Sequence, residues 1–184
     1  MKKLLVLLCS LALVFGLAAS VGAVTIDFED LNGSAYLPVG YAGLTWDPEW
    51  VYYDNYQPPY FASSGDERIY THNYGGWIKF GQDVTFLGSW VASYDDGQTM
   101  YWEGYQDGNL LYTSAALYGG DADWINVVWA GVDEVRFVCT TYNHFIIDDI
   151  MYEIGGAAVP IPGAIWLLGS GLVGVAGLRR KFKK

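Results

Sequence analysis

Short runs of alternating polar and apolar residues, separated by turn signals, fill the middle of this 184-residue chain. The clearest run covers residues 98–105, where alternation places one set of side chains on a single face of a strand: Thr99, Tyr101, Glu103 and Tyr105. Asp-Gly pairs at 96–97 and 107–108 supply the positive-φ positions that tight hairpins require. No stretch of this region has convincing helical spacing. The pattern therefore predicts an all-β domain.

About nine strands are predicted, a number that suits a jelly-roll-like antiparallel β-sandwich. Their predicted ranges are 24–28, 44–53 with a break at Pro48, 76–80, 84–94, 98–105, 110–114, 124–129, 134–140 and 145–152. Residues 58–73 contain Pro58-Pro59 and Ser63-Ser64-Gly65, and they are predicted to form a long surface loop. The high content of Trp and Tyr in this region fits strands and a sandwich core.

Charge is distributed unevenly along the chain. All 20 acidic residues lie between Asp27 and Glu153, and that range holds three basic residues, Arg68, Lys79 and Arg136. So strong an excess of negative charge argues against nucleic acid or anionic lipid as a partner of this domain. It suits a solvated extracellular protein.

The first 23 residues have the parts of a secretory signal peptide. Lys2 and Lys3 precede the apolar run 4–17, and the small residues 21–23 predict cleavage after Ala23, with 18–20 as the alternative. Export by the secretion machinery through the inner membrane is expected. The mature domain, residues 24–156, then contains one cysteine, Cys139, which is predicted to be a buried thiol in an apolar strand.

The other end of the chain is predicted to cross a membrane. Residues 161–178 contain no charged side chain, and 18 helical residues span about 27 Å, close to the hydrocarbon thickness. A basic cluster follows directly and, by the positive-inside rule, stays in the cytoplasm: Arg179, Arg180, Lys181, Lys183 and Lys184. The two ends together place the acidic domain outside the cell.

Residues 157–184 form a C-terminal tail. Near its start, the segment 159–164 contains a pair of prolines and begins with Val159, Pro160, Ile161, Pro162 and Gly163. With the Gly-rich apolar run and the basic end, this order resembles the PEP-CTERM sorting signal of Gram-negative bacteria in its V-P-x-P form. Ile161 stands where the commonest form has Glu. The resemblance implies processing by an exosortase, an integral-membrane cysteine protease, and a link to exopolysaccharide and biofilm formation. The alternative is an ordinary single-span anchor.

Four segments of the middle domain are similar, in order, to jelly-roll carbohydrate-binding modules: 27–31, 40–46, 104–108 and 145–150. The resemblance implies that an acid of the first strand and an acid of the last strand bind a structural Ca²⁺. Glu29 and Asp148 meet if those two strands lie side by side, and Asp27, Asp30 and Asp149 supply further carboxylates. The alternative is that these acids are solvated strand ends, and no cofactor is required.

Aromatic residues near the predicted loops are candidates for stacking on sugar rings: Tyr52, Tyr53, Tyr56, Tyr60, Tyr74 and Trp77. The same rings can instead cap the sandwich. The sequence has no G-x-S-x-G nucleophile elbow, and a carboxylate pair chosen from 20 acids is no evidence for a glycosidase. We therefore expect no catalytic residues and no enzymatic activity.

The sequence favours a non-enzymatic protein of the cell surface or extracellular matrix. It is expected to be anchored in the membrane until an exosortase processes it, and then to associate with extracellular polysaccharide on the outer surface or in the matrix. The alternative function is that of a carbohydrate-binding module whose glycan affinity is itself the activity. A secreted hydrolase is a third hypothesis.

Overall fold

Antiparallel β-strands make up most of the structure, a computed structural model that describes residues 22–94, 97–120 and 122–155. In these ranges the one helical element is a 3₁₀ turn at Tyr41–Gly43. The strands are β1 Ala23–Ile26, β2 Ser34–Tyr36, β3 Thr45–Trp46, β4 Trp50–Tyr53, β5 Arg68–Thr71, β6 Gly75–Ser93, β7 Thr99–Gln106, β8 Asn109–Thr113, β9 Leu117–Tyr118, β10 Ala122–Cys139 and β11 Phe145–Ile154. The prediction of an all-β antiparallel sandwich is confirmed.

The strands follow the hydrogen-bonded order β2-β4-β5-β11-β6-β10-β7-β8, with β1 on β11, β3 on β6 and β9 on β7. Two layers result because the long strands β6 and β10 contribute to both. In one layer, called the covered layer because residues 54–67 lie across its outer face, residues 88–93 of β6 pair with β11 and with residues 122–126 of β10. In the other layer, called the open layer, residues 75–79 of β6 pair with residues 134–138 of β10, which also pair with β7.

The long strands pass between the layers at irregular positions. The register of β10 against β6 shifts at three places between Asn126 and Glu134. Gly81 and Gly131 have φ angles of 70° and 75°, a conformation that glycine adopts without the steric cost that a side chain brings. Such bulges bend a strand and increase its twist, so one strand can serve two sheets.

Aromatic and aliphatic side chains of both layers form one core. Fully buried members of this cluster come from the covered layer, as with Ile147 and Phe145, and from the open layer, as with Ile78 and Trp102. Cys139 belongs to the same cluster and is a buried free thiol, as predicted. On β7, the core face is the one that carries Met100 and Trp102.

Several predicted boundaries were wrong. Residues 76–80 and 84–94 form one strand, β6, and residues 124–129 and 134–140 form one strand, β10. Residues 68–71 are strand β5 and not part of the loop, because they pair with β4 and, through Ile69, with β11. The short strands β2 and β9 were also missed.

The predicted turn at residues 107–108 is confirmed. Asp107 and Gly108 have φ angles of 50° and 76°, and they join β7 to β8. Two positive φ angles in succession are the geometry that a two-residue hairpin of type I′ needs.

The signal peptide, the sorting motif, the transmembrane helix and the basic cluster lie outside the described residues, which begin at 22 and end at 155. Within the part of the chain that the structure covers, no helix has the length and apolar character needed to cross a membrane.

Candidate functional site

Residues 54–67 form a loop between β4 and β5 that lies on the outer face of the covered layer. Ile146 pairs with Ala92 on this face, whereas their neighbours Ile147 and Val91 point into the main core. With Tyr53, Ile146 and Ala92 form a second buried cluster, against which Tyr60 of the loop packs. The Trp90 indole N–H donates to the carbonyl oxygen of Phe61 at 3.0 Å. The loop therefore covers a small hydrophobic cluster of its own.

Arg68, the first residue of β5, ties the two ends of this loop together. Its Nη1 donates to the Asp66 carbonyl oxygen at 2.6 Å, and its Nη2 donates to the carbonyl oxygen of Asn55. The guanidinium also lies 4.0 Å from the centre of the Tyr53 ring. Arg68 is only 3% exposed, so these bonds form where water does not compete.

Two adjacent acids of β11 hold the middle of the loop. Asp148, which is fully buried, accepts the backbone N–H of Ser63 at 2.7 Å and that of Ser64 at 3.0 Å through Oδ2. Its Oδ1 accepts the N–H of Asp149 at 2.7 Å, and Asp149 accepts the Ser64 hydroxyl at 3.0 Å. Burial, aided by the Asp149 carboxylate and opposed by these N–H donors, raises the pKa of Asp148 to about 7.

Glu29 holds the same loop from the other side. Its Oε1 accepts the N–H of Glu67 at 3.1 Å and its Oε2 accepts the N–H of Asp66 at 3.4 Å. The carboxylate approaches Gly65 so closely that a Cβ at this position would overlap it. A glycine at position 65 is therefore required for this contact.

A surface pocket of about 440 Å³ opens where the loop faces the segment that leads into β11. Its lining comes from β2, the end of β4, the loop, β5 and the 142–145 turn: Ser34, Tyr53, Asn55, Gln57, Tyr60, Tyr70, Tyr142, Asn143, His144 and Phe145. Four of these ten residues are tyrosines and three carry side-chain amides. None is Asp, Glu, Lys or Arg.

Ring contacts hold the tyrosines around the pocket in place. Tyr53 and Tyr70 meet edge to face with ring centres 5.2 Å apart, and Tyr142 meets Tyr74 in the same way at 5.7 Å. Burial raises the pKa values of Tyr53 and Tyr70. Their hydroxyls therefore stay protonated at neutral pH and can both donate and accept hydrogen bonds.

The six aromatic residues predicted to stack on sugars lie in different places. Tyr53 and Tyr60 line the pocket, and Tyr56 lines a neighbouring cavity of about 190 Å³ together with Tyr60. Tyr74 is exposed beside Tyr142.

Two of the six rings lie apart from these cavities. Tyr52 is half-buried against the main core, and Trp77 is on the open layer. Sequence reasoning missed Tyr70 and Tyr142, because only the fold brings β5 and the 142–145 turn to the loop. The available signal was the Tyr142-Asn143 turn, an aromatic and a polar residue shortly before an apolar strand.

The candidate metal ligands lie close to the loop. The first and last strands lie side by side, which was the condition for Glu29 and Asp148 to come together. In this pairing of β1 with β11, Ala23 lies opposite Glu153 and Ile26 lies opposite Ile150. Both carboxylates contact the loop between residues 63 and 67. Asp27 is exposed and accepts the Glu29 N–H at 3.4 Å. Across residues 22–155 as described, no three His, Cys, Asp or Glu side chains are already arranged to hold one metal ion.

The outer face of the open layer carries charged side chains, unlike the lining of the pocket. Glu134 accepts from Arg136 at 2.5 Å and lies 3.4 Å from the Lys79 ammonium. Lys79 lies 5.1 Å from the Trp77 ring centre, and the Arg136 guanidinium lies 4.1 Å from that of Tyr105. No loop is described across this face.

No protein-family model and no curated protein sequence matches the chain. Among solved structures, it is similar to the CBM22-1–GH10 modules of xylanase 10B from Clostridium thermocellum complexed with xylohexaose. That match has 15% identity and a TM-score of 0.46, over 76% of this chain and 30% of that chain.

Two further similarities are to single modules. One is the C-terminal CBM6 of a laminarinase from Zobellia galactanivorans, at 18% identity and a TM-score of 0.34, over 72% of this chain and 99% of that chain. The other is TmCBM61 in complex with β-1,4-galactotriose, at 12% identity and a TM-score of 0.40, over 70% of this chain and 93% of that chain. Similarities at this level carry no argument about function, which has to rest on the residues of this chain.

Proposed function

We propose that this domain binds an uncharged carbohydrate in the pocket between the 54–67 loop and the 142–145 turn. The lining of the pocket is the observation that carries the proposal, because it combines four tyrosines with three amide side chains and contains no Asp, Glu, Lys or Arg. Aromatic faces pack against the C–H groups of a sugar ring, while amides and phenols exchange hydrogen bonds with its hydroxyls. The volume of about 440 Å³ is that of an ordinary small-ligand site.

The same lining favours binding over hydrolysis. Glycoside cleavage ordinarily needs two carboxyl groups that flank the scissile bond. None of the ten residues around the pocket supplies one. Two acids from outside the loop, Asp148 and Glu29, accept hydrogen bonds from its backbone. They position the loop and are not placed to attack a ligand in the pocket.

Glycan binding tests this proposal. The full-length protein, purified in detergent, is screened on an array of neutral oligosaccharides, and the best ligand is measured by titration calorimetry. Tyr142 is half exposed, so Tyr142→Ala should leave the fold intact and weaken binding at least about tenfold. Tyr118→Ala is the matched control, because Tyr118 is an exposed tyrosine of β9 outside the pocket.

Two outcomes would contradict the proposal. Unchanged affinity in Tyr142→Ala would show that the pocket is not the site. Loss of affinity in Trp77→Ala, with full binding in Tyr142→Ala, would move the site to the open layer.

The location of the protein is a second part of the proposal. The signal-like start, the PEP-CTERM-like tail and the resemblance to jelly-roll modules support an exported domain that an exosortase releases near residues 159–162. The glycan-binding pocket would then hold the released domain in the extracellular polysaccharide. The acidic surface of the domain suits that setting, since it keeps the protein soluble and away from anionic membranes.

Intact mass of the mature protein tests the sorting step. In cells with an exosortase, we expect a product that begins at Val24 and ends near the proline pair; without it, the tail should remain. Truncation at Ala158 should release the domain from the membrane. A truncated domain that stays membrane-bound would contradict the role of the tail.

A further inference from the structure

The pocket shares a wall with the neighbouring cavity of about 190 Å³. Gln57 and Tyr60 line both the pocket and the cavity. They are the first and last residues of one turn, in which the Tyr60 N–H donates to the Gln57 carbonyl oxygen at 2.9 Å. Because this hydrogen bond closes the turn, it holds the backbone of a ridge that separates the two concave surfaces.

The cavity contains two aromatic rings that the pocket does not share. Tyr56 and Phe61 line the cavity with their ring centres 6.0 Å apart, and the two residues are 83% and 46% exposed. The bond from the Trp90 indole N–H to the Phe61 carbonyl oxygen ties this part of the loop to the sheet. Exposed rings beside a concave surface can pack against a sugar, so the surface suited to a glycan continues beyond the ridge.

The pocket and the cavity differ in charge. The pocket lining has no Asp, Glu, Lys or Arg, whereas the cavity lining includes Asp54, Asp66 and Arg68. The Arg68 guanidinium is already bonded to two loop carbonyls. The cavity therefore has two carboxylates and one cation that is engaged elsewhere, and a carboxylate on a ligand would meet like charge there.

We propose that the pocket and the cavity are two subsites for consecutive units of one linear glycan, and that the cavity excludes acidic sugars. This inference rests on the glycan-binding function proposed above, and it adds the length of the ligand and the chemistry of its second unit. A unit that crosses the ridge reaches the cavity at a high effective concentration, because the unit in the pocket already holds it there. Affinity should therefore rise with chain length.

A series of chain lengths tests the second subsite. The full-length protein in detergent is titrated with linear galactose and glucose oligomers of one to six units, and weak binders are measured by competition. We expect a trisaccharide to bind at least about tenfold more tightly than the monosaccharide. Tyr56→Ala should remove most of this ratio. Tyr118→Ala, which changes an exposed tyrosine outside the pocket and the cavity, should keep it.

Oligomers of galacturonate and glucuronate test the exclusion of acidic sugars. They differ from the neutral probes by a carboxylate on each unit, and at equal length they should bind at least about tenfold more weakly. Asp66→Asn should narrow this difference. The matched control is Asp83→Asn, which removes an exposed acid outside the pocket and the cavity and should leave the difference unchanged. Both readouts are ratios measured in one variant, so a partly unfolded sample cannot imitate them.

Failure of this inference can be told apart from failure of the proposed function. If the monosaccharide binds as tightly as the hexasaccharide and Tyr142→Ala weakens both, the pocket binds glycans without a second subsite. A gain with chain length that survives Tyr56→Ala, or equal affinity for neutral and acidic oligomers, would also overturn the inference and leave the pocket as the site. A protein that binds none of the oligomers would overturn both.

Discussion

Two arginines of this domain each lie over a tyrosine ring, but one is buried and the other is half exposed. Arg68 lies 4.0 Å from the ring centre of Tyr53 on the covered layer, and Arg136 lies 4.1 Å from that of Tyr105 on the open layer. Arg68 is 3% exposed and donates to backbone carbonyls. The Arg136 side chain is 44% exposed and pairs with Glu134, whose hydrogen bond is the main cause that raises the pKa of Arg136.

The difference shows what the covering loop changes. On the open face, the two basic side chains that pair with the buried Glu134 are about half exposed, and ion pairs that water reaches contribute little to stability. On the covered face, Arg68 and two acids, Asp148 and Glu29, bind the backbone of a 14-residue loop that has no regular structure of its own. That loop forms one wall of the pocket. A ligand in the pocket would therefore contact a wall whose order depends on these buried bonds, and no loop is described across the open layer.

The largest expected effect comes from comparing the two arginines directly. Arg68→Met leaves two carbonyl oxygens in the covered site without donors and should lower the free energy of unfolding by about 3 kcal/mol. Arg136→Met removes a half-exposed guanidinium and leaves the buried Glu134 carboxylate paired with Lys79, so it should cost about 1 kcal/mol. Urea unfolding of both variants measures the difference. Equal losses would mean that the loop contributes nothing beyond the ring contact.

A smaller effect is expected from pH, through Asp148. Its folded pKa of about 7 lies above the unfolded value of about 3.9, so the stability that it contributes is greatest below pH 4 and is lost as pH rises through 7. Between pH 5 and pH 8, in EDTA, the free energy of unfolding should fall by about 2 kcal/mol.

Two variants separate Asp148 from the other acids in this pH series. Asp148→Asn should flatten the pH dependence, although Glu67, whose pKa is also raised, leaves a part of it. Asp66→Asn, which removes an exposed acid next to Glu67, is the control in the same series. Stability that rises between pH 5 and pH 8 would contradict the prediction.

Local features of the fold could be predicted from the sequence, and features made by distant contacts could not. The Asp107-Gly108 turn depends on two residues and was predicted. Gly81 has the positive φ of a turn, yet it lies inside β6, because β6 pairs with β10 both before and after this residue. The sequence around residue 81 alone does not contain that information.

The candidate site shows the same limit. Tyr53 and Tyr60 were predicted because they lie near a loop, but the pocket also needs Tyr70 from β5 and Tyr142 from the turn before β11. Asp148 and Glu29 were predicted as a pair if the first and last strands are neighbours, and the structure has these two strands paired. That both carboxylates accept N–H groups from residues 63–67 depends on how the loop folds, and no local pattern indicates it.

The smallest expected effect tests whether the open layer depends on its charges at all. The Lys79 side chain is 52% exposed, and Glu134 keeps Arg136 as a partner when Lys79 is removed. Lys79→Met should therefore change the free energy of unfolding by less than about 0.5 kcal/mol, and 1 M NaCl should leave that difference unchanged within error. Urea unfolding at both salt concentrations measures it. A loss above about 2 kcal/mol would mean that the ion pairs of the open face hold the sheet together, and the contrast with the covered layer would then disappear.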